Sequence, residues 1–423
     1  MTGLKKIVIL AILPLFAIIS WILTIDFTFS GLLYLRSLSL LFAAVGLSFI
    51  VMQFLLSSRI KLIENGIGLD SLMRMHRFSG RAGLAMIFLH LVFIAFYRFL
   101  SYEGVFLNIY IWIGIISLLA FSVTGALAST YKKLGLRYET WRNIHLLNYL
   151  IFPVALIHVF YHSLAGSYLY YFWFLLSLLF SSVILYRFYR IIYLRISPYT
   201  VTAVKQEAED VWSLHFQGRP VSYKPGQFLF LQLLRKGKRS SPHPFTISSS
   251  PTAGHLSVTP KELGDFTTTI KDTREGDKAF IDAPYGVFSY LNHPESELVF
   301  IAGGIGITPF MSMLRYMHDR GDKRKITLFW GNKSESNICF KNEMKILEQA
   351  NPDLKMVLVM SDQPDWTGEK GYLDIALIKK YLATLDEKEF FVCGPPAMTK
   401  AILESLKKDG VSATRIHSEL FSI

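Results

Sequence analysis

Only two cysteines, Cys339 and Cys393, occur in 423 residues. That excludes a disulfide framework and a four-cysteine metal centre, and both thiols fall in a half suited to a reducing cytosol. Charge is also scarce, at 18% of residues, and thinnest in the first 195 positions. No small-residue cleavage site follows the first apolar run before Asp26, so Lys5 and Lys6 with the run 7–25 read as a retained membrane span, not a removable leader. No calcium-binding loop or other regulatory insert is visible, and none of the residues requires a partner subunit. The formal net charge of +12 does not indicate nucleic acid, because many of the basic side chains of the first half sit between apolar runs, where positive charge fixes membrane orientation.

What the chain does have is apolar length. Runs at 7–25, 32–57, 72–98, 105–129, 141–163 and 168–192 are each about the 20 residues needed to cross bilayer hydrocarbon. Six spans return both termini to one side. Lys5/Lys6, Arg59/Lys61/Arg74/Arg77, Lys132/Lys133/Arg137/Arg142 and Arg187/Arg190/Arg195 then share the cytosolic face, and the opposite loops keep little more than Arg36 and Arg98. The sequence predicts a multi-pass protein of a bacterial-type plasma membrane with its polar half in the cytosol. Predicted domains are 1–195 in the bilayer, 196–294 and 295–423.

Histidine in a membrane helix is costly and usually serves a function. His76 and His90 lie 14 residues apart in the third span, about 21 Å along a helix and on similar faces. His145 and His158 lie 13 apart in the fifth, about 20 Å. Two helices could thus offer one histidine each at two depths, the arrangement for two bis-histidine haems. A 13-residue step does not return to the same face, so a bend, a π-bulge or different rotamers must make up the difference. Any one of these histidines could instead be a polar group bonded between helices.

With these pairs the chain resembles the NADPH oxidase and ferric reductase transmembrane family. The resemblance implies a six-helix transmembrane haem-binding bundle followed by a ferredoxin-NADP reductase-like module, with b-type haems held by His76 with His145 on the cytosolic side and by His90 with His158 on the outer side. His162, one turn beyond His158, is a rival outer ligand that breaks the spacing. Arg77 and Arg81 either pair with haem propionates or mark the membrane edge.

From about Pro198 to Tyr290, short alternating segments such as 211–216 and 228–233 between Gly and Pro turns predict an antiparallel β-barrel. His243, Pro244, Phe245, Thr246 and, closing the motif, Ser249 resemble the FAD segment of the ferredoxin reductase superfamily in its NADPH oxidase form. The resemblance gives Thr246 a place at flavin N5, Phe245 an aromatic face for the flavin and His243 a position near the phosphates. The superfamily more often has Arg and Tyr where His243 and Phe245 stand. Gly264, Asp265, Phe266 and Thr267 open a predicted helix whose amides suit a pyrophosphate. Pro284-Tyr285-Gly286 resembles the turn that closes over the cofactor.

From Glu297 onward, predicted strands (298–302, 326–330, 356–360, 390–393) alternate with helices (309–319, 341–349), which reads as a doubly wound parallel α/β sheet. Gly303, Gly304, Gly306, Thr308 and Pro309 directly follow the first strand, where glycines allow backbone approach to a pyrophosphate and the next helix offers its N-terminus. The same stretch matches the family's nicotinamide loop. Lys333 stands where related reductases place an Arg for the 2′-phosphate, which favours NADPH while leaving NADH open. Cys393, Gly394 and Pro395 resemble the segment beside the nicotinamide C4, with Cys393 as packing and not as a nucleophile. Phe421 resembles the terminal aromatic that stacks on flavin.

The order of parts implies a path. NADPH gives two electrons together, haems take one at a time, and FAD converts between them. The resemblance places Thr246, Cys393 and Phe421 around the hydride path. The expected reaction is a transmembrane NADPH oxidase delivering electrons to oxygen as superfamily relatives of this form do, producing superoxide. A ferric or cupric chelate reductase could use the same residues, and a haem-free scaffold protein is a third possibility that the intact cofactor motifs oppose.

Overall fold

The computed structural model describes residues 2–25, 31–101, 108–293 and 297–419. They form two compact units, Met1–Arg190 and Ile191–Ile423.

The first unit is helical: α1 (Thr2–Thr24), α2 (Leu33–Ser57), α3 (Lys61–Ile67), α4 (Leu69–Leu100), α5 (Ile109–Thr130), α6 (Tyr138–Leu146), α7 (Asn148–His162) and α8 (Tyr168–Ile196). Among the described residues, six helical stretches are long and apolar enough to span a membrane, α6 and α7 together counting as one. Lipid offers no hydrophobic drive between helices, so polar contacts and close packing do more of the joining. Trp21 Nε1 of α1 donates to the Ser37 carbonyl of α2 at 2.8 Å. Gln53 Nε2 of α2 donates to Ser79 Oγ of α4 at 2.7 Å.

The fifth span is not one helix. It breaks at Leu147, between His145 and His158, where the Leu147 N–H turns back to the carbonyls of Ile144, at 3.0 Å, and His145 instead of continuing the helical pattern. Pro153 inside α7 removes a further backbone donor and crowds the carbonyl four residues earlier. Both features interrupt the regular helix between the two histidines, the kind of irregularity that a 13-residue step requires.

The second unit begins as a seven-stranded antiparallel barrel: β1 (Tyr199–Ala208), β2 (Val211–Gln217), β3 (Phe228–Arg235), β4 (Lys238–Arg239), β5 (His243–Thr246), β6 (Leu256–Val258) and β7 (Lys278–Tyr285). Strand order is β4-β3-β7-β1-β2-β6, with β5 on β3. Val201, Leu214, Leu229, Leu231 and Ile281 fill its core. The segment after Gly264 departs from the expected helix. Only a short 3₁₀ turn forms, Thr267–Asp272, because the hydroxyls of Thr267, Thr268 and Thr269 bond back to local backbone carbonyls and favour a turn.

An all-parallel sheet follows: β8 (Glu297–Gly303), α9 (Thr308–Arg320), β9 (Lys325–Asn332), α10 (Lys341–Ala350), β10 (Leu354–Met360), β11 (Glu369–Lys370), α11 (Ile375–Tyr381), β12 (Glu389–Cys393), α12 (Pro396–Lys408) and β13 (Ile416–Glu419). The order is β11-β10-β9-β8-β12-β13. Covered on both faces, β8 is continuously apolar from Leu298 to Ala302 and fully buried. Each of its large side chains contributes about 1.5–3 kcal/mol by leaving water. Pro309 in the first turn and the left-handed Gly321 (φ 64°) at the end bound α9.

Candidate functional site

The central β8 sends the chain to β9 on one side and meets β12 on the other. This is a topological switch point, where open α/β sheets bind ligands outside the carboxyl ends of their strands. The loops predicted from Gly303–Gly306 and Cys393–Pro395 meet there. A Cβ on Gly306 would stand 2.3 Å from the Cys393 carbonyl oxygen, so only glycine permits this packing. Trp330 Nε1 donates to the Gly304 carbonyl at 2.9 Å and pins the loop. Thr308 turns its hydroxyl onto the Ile305 carbonyl at 3.1 Å, directly before Pro309 and the free amides of α9.

Lys333 is exposed just beyond β9. Beside it, Asn332 is buried and its side-chain amide has no hydrogen-bond partner among the described residues. Cys393 is fully buried in register with Glu419. Burial first, and then the Glu419 charge, push its thiol well above the ordinary range, so it is a neutral packing group and not a nucleophile.

In the barrel, His243 stacks on Phe266 with ring centres 4.0 Å apart and planes 9° from parallel. Phe245 lies 6.0 Å from the same ring. The two sequence segments predicted separately for the flavin are therefore adjacent. His243 meets the Gly264–Thr267 segment through Phe266, while Gly264 and Asp265 are exposed. Thr246 ends β5, buried, and Pro244 pairs with Phe230. Ser249 faces inward: its hydroxyl accepts from the Ser257 N–H at 3.0 Å and lies 2.9 Å from the Tyr223 hydroxyl. Its carbonyl accepts from Ser312 Oγ of α9 at 2.7 Å. Ser249 thus fastens the barrel to the α/β domain. Gly286, φ 92°, brings its Cα under Phe228 and Glu419 where a Cβ would lie 2.8 Å from Glu419 Oε1. Phe421 lies outside the described residues.

In the helical unit, the ring centres of His76 and His145 are 6.1 Å apart with their planes 69° from parallel. An imidazole nitrogen binds a first-row metal at about 2 Å, and the ring centre lies about 1 Å behind the nitrogen. Two rings flanking one ion therefore need about 6 Å, which this pair provides. Three of the four histidines also direct Nδ1 at a backbone carbonyl of another helix: His76 to Gln53 (3.3 Å), His90 to Ser39 (3.0 Å) and His158 to Tyr110 (2.8 Å). An Nδ1–H held in this way leaves Nε2 as the basic ligand atom, the usual support for a metal-binding imidazole. His145 has a buried Nδ1 near the Thr124 carbonyl but in no acceptable hydrogen-bond geometry, and stacks on Trp141 at 5.8 Å. His90 is near both His158 and His162. Of these two, His162 is exposed and 4.9 Å from the His158 ring. Arg77 and Arg81 are exposed, and Arg81 Nε donates to the Arg77 carbonyl.

The fold and its glycine loops define a membrane-linked flavin and nicotinamide oxidoreductase. Residues 42–156 match the family described as ferric reductase like transmembrane component, 196–289 an FAD-binding domain and 300–404 an oxidoreductase NAD-binding domain. Together these three domains are the architecture of the NADPH oxidase and ferric reductase family. It is 30% identical over 230 residues to the glycine betaine monooxygenase reductase subunit of Chromohalobacter salexigens, covering 52% of this chain and 62% of that protein. It thus spans about three fifths of that relative's length. It is 31% identical over 229 residues to sulfhydrogenase 2 subunit gamma of Pyrococcus furiosus, covering 50% of this chain and 78% of that one. Among solved structures, flavohemoglobin from Malassezia yamatoensis aligns over 99% of this chain and 98% of its own at 17% identity, TM-score 0.51, a likeness of fold.

Signals missed in the sequence are the helix-to-helix carbonyl acceptors, Trp330 as the anchor of the glycine loop and the Ser312 link. The first and last depend on contacts between distant segments. Trp330 could have been noticed as a large indole placed one residue before a glycine at the carboxyl end of a buried strand.

Proposed function

We propose that the chain is a transmembrane NADPH oxidase that carries electrons from cytosolic NADPH, through FAD and two bis-histidine b haems, to molecular oxygen, releasing superoxide on the outer side. The carrying observation is the His76/His145 spacing of 6.1 Å in the same chain as the FAD- and NAD-binding domains. When bound, the flavin supplies the change from two-electron to one-electron transfer and the haems supply one-electron relays.

The residues have separable tasks. Gly303–Gly306 and the α9 amides hold the nicotinamide pyrophosphate. Lys333 neutralises a 2′-phosphate, and a ribose hydroxyl or phosphate at this end of β9 gives the buried Asn332 amide a partner. Thr246 orients the flavin ring edge, while His243 and Phe266 flank its phosphates. Cys393 and Gly394 keep water from the nicotinamide through close packing. His76 with His145 would hold one haem and His90 with His158 the other, and with two imidazoles given to each group these residues would leave it an electron relay.

Oxygen as acceptor is favoured by the His243-Pro-Phe-Thr246 form of the flavin segment. The test is an anaerobic NADPH-reduced difference spectrum of the purified protein followed by either oxygen or a ferric chelate. Low-spin b-haem bands that reoxidise with oxygen, together with superoxide-dismutase-sensitive dye reduction, support the reading. Absent bands overturn it, and reoxidation by chelate but hardly by oxygen replaces the oxidase with a chelate reductase.

A further inference from the structure

At the amino end of the parallel sheet, away from the nucleotide crevice, stands a group that the electron path does not use. Glu389 opens β12, His417 lies in β13 with Phe391 as its register partner, and His293 follows the 3₁₀ turn Tyr290–Asn292. Among the described residues, these are the three His, Cys, Asp or Glu side chains whose ligand atoms come together, all within 4.8 Å of one another. Glu389 Oε2 is 3.4 Å from His293 Nδ1 and in short contact with His417 Nε2. The two imidazole centres are 3.8 Å apart.

We infer that His293, Glu389 and His417 form a binding site for one divalent transition-metal ion, with Zn²⁺ as the best match. Two imidazoles and one carboxylate form a donor set for zinc, whereas calcium and magnesium require oxygen ligands throughout and copper(I) prefers sulfur. Metal bonds of about 2.0–2.1 Å at tetrahedral angles put neighbouring donor atoms about 3.3 Å apart, close to the 3.4 Å between His293 Nδ1 and Glu389 Oε2. The remaining position is open to water.

The ligands are held from outside the cluster. Phe391, fully buried, lies 4.7 Å from the His417 ring and 5.6 Å from the His293 ring. The His293 carbonyl accepts from Arg324 Nη1 at 3.1 Å, and Arg324 is itself paired with Asp322 at 2.7 Å and lies over the Tyr290 ring. A divalent ion engages all three donors together. Glu389 is four residues from Cys393, about 13 Å along the strand, so the ion is structural: it clasps the connection from the barrel onto the edge of the sheet.

The test uses the full-length protein with haem and flavin bound and without a polyhistidine tag, stripped with EDTA and dialysed against Zn²⁺. Elemental analysis should find one zinc per chain, and Co²⁺ in its place should give the visible bands of a tetrahedral site, a measurement that needs no variant. Glu389→Gln and His293→Gln should each lower zinc affinity at least about tenfold while flavin and haem content stay unchanged, which also shows that the variants fold. Equal zinc binding by wild type and both variants, or no zinc and no cobalt bands in the wild type, overturns the site.

Discussion

The ring of His158 lies where the side chain of residue 114 would be: a Cβ on Gly114 would approach His158 Nδ1 to 2.7 Å and Cε1 to 2.8 Å. Glycine lets α5 come close enough for the Tyr110 carbonyl to accept the His158 Nδ1–H at 2.8 Å. Gly114→Val should displace the imidazole and lower the haem-to-flavin ratio from about two to about one, measured as pyridine haemochrome against released FAD. An unchanged ratio would reject His158 as a ligand held by this contact.

The same hydrogen bond separates His158 from His162. Of this pair, His158 has its Nδ1 tied to a carbonyl, and a ligand supported in this way keeps its orientation and basicity. His158→Ala is expected to remove one haem and His162→Ala none, with NADPH-driven flavin reduction intact in both. The opposite pattern in haemochrome content would exchange their roles.

How much of this was legible beforehand depended on the kind of signal. Strand and helix alternation after Glu297 was readable because each parallel strand is a buried apolar run, as in Leu298–Ala302, and each glycine loop follows its strand directly. The six spans were readable for the same reason of apolar length. The break at Leu147 was not visible as a position. The 13-residue step between His145 and His158 required some irregularity, but Leu147 carries no sequence mark of one. The 3₁₀ turn after Phe266 was mistaken for a helix because hydroxyl-to-backbone bonds of Thr267–Thr269 compete with helical ones. Contacts such as Ser39 with His90 or Ser312 with Ser249 join distant parts of the chain and leave no trace in either segment.

Lys333 stands exposed at the carboxyl end of β9, next to the buried Asn332 amide. A lone ammonium facing a phosphate makes a charge-assisted contact of about 1.5–3 kcal/mol. Lys333→Ala should therefore raise KM for NADPH about tenfold or more and change KM for NADH little, with kcat preserved. Steady-state kinetics with the two nucleotides decide this, and equal effects on both would place Lys333 away from the 2′-phosphate.

Glu297, at the start of β8, is bridged by Lys388 at 2.7 Å and Lys325 at 3.1 Å. Burial raises its carboxyl pKa, but the hydrogen bonds and charges of Lys388 and Lys325 outweigh this, and the net shift is downward from 4.5. With the folded value below the unfolded one, its stabilisation is full above about pH 4.5 and is lost as pH falls through the folded value. Lys388 is the more enclosed partner, its side chain only 8% exposed, and removing its carboxylate leaves a largely desolvated cation. Glu297→Gln should destabilise the reductase module by about 1–3 kcal/mol near neutral pH. The gap to wild type should shrink as the pH is lowered from about 5 to about 3, because the wild-type carboxyl is then protonated as well. Thermal melts of both proteins across that range, followed by flavin release, measure the difference, and a gap that stays constant or widens in acid would show that the bridge is not the source of the stability.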